Sequence, residues 1–183
     1  MEKTAKMSKI YCEVSELSKA SIKCGDEVYL SGVIYTARDA AHKRITELIE
    51  RGEELPFDLK GAVIYYAGPT ETPPGAVIGS CGPTTSSRMD KFAPALLDRG
   101  LMCMIGKGER SDSVVQGIIR NKALYLCAVG GAGAYISSCI KSCEVVAFHE
   151  LGCESVKRLT VKDMPTFCAI DSFGNDIFKR VKV

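Results

Sequence analysis

Short apolar runs rich in β-branched residues, each followed by residues at helical spacing, predict an α/β fold with a mainly parallel sheet. Two features carry this. Leu101–Ile105 and Ala123–Val129 are apolar without alternation, as expected of strands covered on both faces. Between such runs, apolar residues recur every three or four positions, and glycines mark the changes of element.

Taken in order, Ile10–Val14 alternates briefly and Cys24-Gly25-Asp26 reads as a turn. Glu27–Tyr35 reads as a strand. Thr36-Ala-Arg-Asp39 has the form of a capping box, and Ala41, Ile45, Leu48 and Ile49 continue a helix to Gly52, with Arg38 in its first turn. A second strand is expected over Gly61–Ala67. The loop Gly68–Gly75 follows, where tandem prolines exclude helix and central strand and suggest a lid or a subunit contact. Ala76–Ser80 is short and apolar, and Met89, Phe92, Ala93, Leu96 and Leu97 form a helix face despite Pro94. After Leu101–Ile105 comes Gly106-Lys107-Gly108, then a helix capped by Ser111. The remaining strands are Ala123–Val129, Val145–Phe148, Val156–Val161 and Thr166–Ile170, closed by a turn at Asp171–Asn175.

The 183 residues fit a single domain spanning 1–183. A net charge of +2 with scattered Lys and Arg argues against a nucleic-acid partner. The start lacks an apolar signal core and no run is long enough for a membrane helix, which points to a cytoplasmic protein. The nine cysteines lie mostly within apolar runs and read as buried thiols rather than a disulfide framework. Cys139 and Cys143, which could share a helical face, have no second pair or histidine to complete a metal site, so none is assigned. Gly130-Gly-Ala-Gly133 invites a dinucleotide reading, but the third glycine of that motif falls at Ile136; close helix–strand packing explains these glycines better. His42 and His149 show no evident partner.

The chain is organised around Gly79-Ser-Cys-Gly-Pro-Thr-Thr-Ser-Ser-Arg-Met-Asp90, read as a handover from strand to helix. An arginine at a helix N-terminus opposes the helix dipole unless an anion shares the site, so the stretch reads as a pocket for an anionic small molecule. Arg38, the Thr84–Arg88 segment and Lys107 all follow apolar runs and open helices. An α/β sheet would gather them at the carboxyl ends of its strands. Three cations suggest a ligand with more than one carboxylate or phosphate. The residues alone leave a non-catalytic anion-binding or regulatory module open, because no histidine or carboxylate pair completes a mechanism.

Tyr35-Thr-Ala-Arg-Asp-Ala-Ala-His-Lys-Arg44, Gly82–Asp90, Ile105-Gly-Lys-Gly108, Val129-Gly-Gly-Ala132 and Ile170-Asp-Ser-Phe-Gly-Asn175 closely resemble the beta subunit, or C-terminal domain, of class I iron-sulfur fumarate hydratases and L(+)-tartrate dehydratases. The resemblance spans about residues 10–178. It implies a swivelling β/β/α domain of three layers, a mainly parallel sheet beside a second sheet. It also implies a hydro-lyase subunit acting on a four-carbon dicarboxylate, fumarate to malate, with tartrate dehydration as the alternative. Its [4Fe-4S] cluster would sit in a separate alpha subunit, making a hetero-oligomer, with a homodimer for the isolated chain. By the same resemblance Arg38, Gly82, Arg88 and Lys107 bind substrate, and Thr84 is the catalytic base.

Overall fold

The computed structural model describes residues 9–179; the reading of the chain's first eight residues lies outside them. Seven strands form one hydrogen-bonded sheet: β1 Lys9–Glu13, β2 Glu27–Thr36, β3 Val63–Tyr65, β4 Cys103–Gly106, β5 Leu124–Cys127, β6 Ile140–Ala147 and β7 Val156–Ile170. The helices are α1 Asp39–Arg51, α2 Ala93–Leu97, α3 Asp112–Asn121 and α4 Gly133–Cys139. The pairs β1–β2, β2–β3, β3–β4 and β4–β5 are parallel. Strand β7 runs antiparallel to β2, β5 and β6, and its pairing with both β2 and β5 closes β2–β3–β4–β5–β7 into a five-stranded ring. Hydrogen bonding thus joins into one sheet what the resemblance divides into two.

Alternation along the central strands decides which core each side chain enters. Val63, Tyr65, Cys103, Ile105, Leu124 and Leu126 join Leu30, Ile34, Leu159 and Val161 in a cluster that fills the ring. Their neighbours Ile64, Tyr66, Met104 and Tyr125 point outward and pack under Ala41, Ile45, Leu96, Val114 and Ile118 of α1, α2 and α3. Both faces of β3, β4 and β5 are therefore covered, which is why these runs show no polar alternation.

Three readings of individual elements are corrected. Ala76–Ser80 forms no strand, and Gly79 instead packs against the Thr70 carbonyl. Residue 140 turns the chain from α4 straight into β6, so Cys139 and Cys143 share no helical face. The runs at Val156–Val161 and Thr166–Ile170 are a single strand, β7. Between them Asp163 bulges out at φ +49°, held by Ser31: Asp163 N–H donates to Ser31 Oγ at 3.0 Å, and that hydroxyl donates to Asp163 Oδ1 at 3.2 Å. Among the described residues, no helix is long and apolar enough to cross a membrane.

Candidate active site

Arg38 follows β2 and is the N-cap of α1, in extended conformation and without a side-chain capping bond. The expected capping box does not form. Thr36 is still in the strand, where its hydroxyl accepts the Lys157 N–H of β7 at 3.1 Å. The open end of α1 is capped from far away in sequence: Ala40 N–H donates to Glu154 Oε2 at 3.0 Å. The other oxygen, Oε1, lies 3.3 Å from Arg38 Nη2. Arg38 Nε is buried without a hydrogen-bond partner, 4.0 Å from Asp39 Oδ2. A Cβ at Gly68 would come within 2.9 Å of Arg38 Nη1, so the guanidinium lies directly over that glycine.

The Gly79–Asp90 stretch threads between the ends of β3 and β4 rather than passing from strand to helix. Thr70 N–H donates to Ser80 O at 3.0 Å and Ser80 N–H to Thr70 Oγ1 at 2.9 Å, closing the neck of the proline-rich loop. Cys81 N–H donates to Gly133 O at 3.1 Å. A Cβ at Gly133 would strike Ser80 Oγ and lie 3.0 Å from Gly82 N, so close packing is what this glycine serves. Thr84 N–H then donates to Tyr66 O at 2.7 Å, and Thr85 pairs with Lys107 in an isolated parallel bridge. Residues Ser86–Met89 form one 3-10 turn. Arg88 lies within this single turn rather than at the start of a longer helix, so the dipole conflict inferred from the sequence is absent. Its guanidinium reaches Asp39 instead, with Nε donating to Oδ1 at 2.9 Å and Nη2 2.8 Å from Oδ2.

Lys107 follows β4, with its side chain exposed and its backbone fixed. Its N–H donates to Ser86 Oγ at 3.0 Å, and its carbonyl accepts from Ser86 N–H at 2.9 Å. The Tyr125 hydroxyl lies 2.8 Å from Gly108 O and 2.9 Å from Ser86 Oγ. A phenol has one proton and a carbonyl can only accept, so Tyr125 donates to Gly108 and receives the Ser86 proton. Gly106 is required here because a Cβ would collide with Ser86 Oγ. Beneath these loops Arg110, its side chain fully buried, donates from Nε to Asp90 Oδ1 at 2.7 Å and lies over the Tyr66 and Tyr125 rings. Asp90 Oδ2 accepts Ser111 N–H at 2.6 Å, capping α3.

The structure thus links Arg38, Asp39 and Arg88 in one cluster, and Thr84–Ser86 with Lys107 in another, all at the carboxyl ends of β2, β3 and β4. Sequence reasoning missed Glu154, Arg110 and Tyr125, which hold these segments. Only the long-range pairing of β7 reveals Glu154, whereas the Gly-Lys-Gly-x-Arg spacing hinted at Arg110. His42 also has a place: its buried Nδ1 lies 2.9 Å from Arg38 O, and the ring sits between Tyr66 and Phe92. Burial lowers its pKa to about 4, so it is neutral, and Nδ1–H donates to that carbonyl.

Among the described residues, no group of three or more His, Cys, Asp or Glu side chains is placed to hold a metal ion. Burial raises several thiols, Cys81 to about 12 and Cys103 and Cys168 well upward, so they stay protonated at neutral pH.

The mixed α/β fold thus carries three cationic side chains, Arg38, Arg88 and Lys107, on the segments that follow neighbouring strands. A family model described as Fumarase C-terminus matches residues 2–181, and the chain belongs to that family. It is 42% identical over 154 residues to the anaerobic class I fumarate hydratase of Escherichia coli K12, covering 83% of this chain and 28% of that protein. It is 39% identical over 158 residues to fumarate hydratase 2 of Leishmania major, covering 85% and 28%. A Methanocaldococcus jannaschii protein, provisionally named as an L(+)-tartrate dehydratase subunit beta, is 39% identical over 166 residues, covering 87% of this chain and 85% of its own length. The chain therefore spans less than a third of the two fumarate hydratases and most of the third relative.

Proposed function

We propose that this chain is the beta subunit of a cytoplasmic iron-sulfur hydro-lyase that interconverts fumarate and malate, with a larger subunit supplying the [4Fe-4S] cluster. The observation that carries the reading is the position of Arg38, Arg88 and Lys107 on the segments that follow β2, β3 and β4, within a chain of the fumarase C-terminal family. Arg38 and Arg88 are matched by two carboxylates, Asp39 and Glu154, and the exposed Lys107 adds a further positive charge for an anionic substrate. The Methanocaldococcus relative, whose name makes it a subunit beta, supports a separate partner. The ring core and the outer helical layer support a swivelling β/β/α reading, with 1–183 as one domain.

In this reading Arg38 and Arg88 hold one carboxylate end of the substrate and Lys107 the other, while Gly82 brings backbone close without a side chain. Thr84 Oγ1 moves the proton at the substrate carbon. A threonine hydroxyl is a poor base at its ordinary pKa, so neighbouring cations must favour its alkoxide. The partner's cluster would act as a Lewis acid, and no residue of this chain is assigned to it.

A second reading, tartrate dehydration, is favoured by the Methanocaldococcus relative, whose length this chain matches. Anaerobic co-expression with a cluster-bearing partner, followed by fumarate and L(+)-tartrate assays with and without Arg88→Ala, separates the two. Full activity in the variant, or in the partner alone, sinks both. Binding of dicarboxylate by the lone chain as tightly as by the complex would instead favour a stand-alone anion-binding module.

A further inference from the structure

The connection between β6 and β7 is unusually well built for a surface turn. Phe148 and Gly152 adopt φ of +55° and +58°. The Lys157 ammonium is buried beneath the turn and donates to Gly152 O at 3.1 Å, Cys153 O at 3.2 Å and Ser155 Oγ at 2.7 Å. Ser155 Oγ donates in turn to Gly152 O at 2.7 Å. Outside, Arg44 of α1 ties the turn down through Glu150 at 3.2 Å and lies over the Phe148 ring. Burying a lysine costs desolvation energy, and here all its partners are oxygens of one turn. What that turn presents is Glu154.

We propose that Glu154 is a positioning residue of the site, which sets the Arg38 guanidinium for a substrate carboxylate by clamping it to the first turn of α1. The inference rests on the reading of Arg38 as a carboxylate-binding group. The two Glu154 oxygens serve different groups, Oε2 accepting from Ala40 N–H and Oε1 facing Arg38 Nη2. The carboxylate therefore fixes the side chain of Arg38 relative to the backbone two residues beyond it. Gly68 limits the guanidinium on its Nη1 side. An arginine offers five N–H donors and Glu154 engages one nitrogen, which leaves donors for a ligand. An arginine held in advance loses less freedom on binding, so the benefit falls on substrate affinity.

The deciding experiment is a double-mutant cycle in the complex with its cluster-bearing partner, using Glu154→Gln, Arg38→Lys and the combination. Gln keeps an acceptor for Ala40 and loses the charge that clamps Arg38. The expected result is a KM for fumarate raised roughly tenfold with kcat little changed, and no further loss when Glu154→Gln is added to Arg38→Lys. An equal KM cost in both backgrounds would mean a merely structural role and overturn the proposal. A second arm uses the chain alone, followed by ¹⁵N NMR of the Arg38 Nε–Hε and Ala40 amide signals. Glu154→Gln should move the first and spare the second, while Glu154→Ala should move both. An unmoved Arg38 signal in both variants overturns the proposal. An inactive wild-type complex counts against the hydro-lyase reading alone, because the spectra still decide what Glu154 holds.

Discussion

Arg88 and Asp39 meet through two contacts across 49 positions of sequence, Nε to Oδ1 at 2.9 Å and Nη2 to Oδ2 at 2.8 Å. The pair ties the 3-10 turn after β3 to the first turn of α1, and so sets the two arginines of the site on either side of one carboxylate. Half of the Arg88 side chain is exposed, so the pair contributes little to stability, about 0–1 kcal/mol. Arg88→Ala should therefore leave the thermal midpoint almost unchanged while lowering kcat/KM of the partnered enzyme by roughly 10²–10³. Calorimetry and a steady-state assay on the same preparation check this, and a large drop in midpoint would show that Arg88 is structural.

Gly68 supplies a gentler probe of Arg38. A methyl group there meets the Nη1 end of a flexible side chain at 2.9 Å, its Cδ at 3.1 Å and the Cys153 carbonyl at 3.4 Å. The arginine can yield by rotating, so Gly68→Ala should cost at most about 1–3 kcal/mol and displace the guanidinium. Substrate KM should rise without loss of fold. Gly106→Ala is the contrast, because its methyl would collide with Ser86 Oγ and press on the Tyr66 ring at 3.0 Å, both fixed in the site's floor. Urea midpoints should rank Gly106→Ala well below Gly68→Ala.

His42 gives the fold a defined acid sensitivity. Its pKa falls from 6.5 to about 4 because burial disfavours the imidazolium, with Arg110 adding to that, while the Arg38 carbonyl and Asp39 act in the opposite direction. The folded value is the lower one, so the unfolded chain binds more protons between the two. Stability from this group is full above about 6.5, falls as the pH drops towards about 4, and levels off below. The drop is worth roughly 3 kcal/mol at most. Urea unfolding at several pH values, compared with His42→Asn, should show that slope reduced in the variant. An unchanged slope would assign the sensitivity to other groups.

Much of this arrangement is legible in the chain itself. Runs such as Leu101–Ile105 lack polar alternation because Cys103 and Ile105 enter the ring while Met104 meets the helices, and α1 ends at Gly52 as expected. Arg38 and Lys107 do follow strand ends, whereas the strand expected before Arg88 is absent and Arg88 lies far along the connection after β3. The helix dipole, by contrast, has no bearing on Arg88, since a 3-10 turn ending at Met89 replaces the expected helix start. What local pattern does not reveal are contacts made across the ring. Thr36 has the composition of a cap, but β7 claims its hydroxyl and Glu154 does the capping. The bulge at Asp163 hides the continuity of β7, and with it the closure of the sheet.

Arg110 and Asp90 test whether the floor of the site is held by charge. The arginine side chain has no solvent exposure and the aspartate has 13%, and their 2.7 Å contact joins the segment after Arg88 to the segment after Lys107. Removing one partner leaves a buried charge uncompensated, so Arg110→Ala or Asp90→Ala should each cost about 3–5 kcal/mol. Asp90 also caps α3 through Ser111 N–H, so its loss should speed amide exchange in the first turn of that helix, whereas Arg110→Ala should spare it. Replacing both by apolar residues of similar volume removes the stranded charge along with the pair. The double variant Arg110→Met/Asp90→Leu should therefore be more stable than either single alanine variant. It should nevertheless bind substrate worse than wild type, because only the bonds of Thr85 and Ser86 to Lys107 then fix the distance between Arg88 and Lys107. If the double variant matched wild type in KM, the ion pair would be a stability element alone, and the spacing of the two cations would have to come from the Ser86–Lys107 backbone bonds.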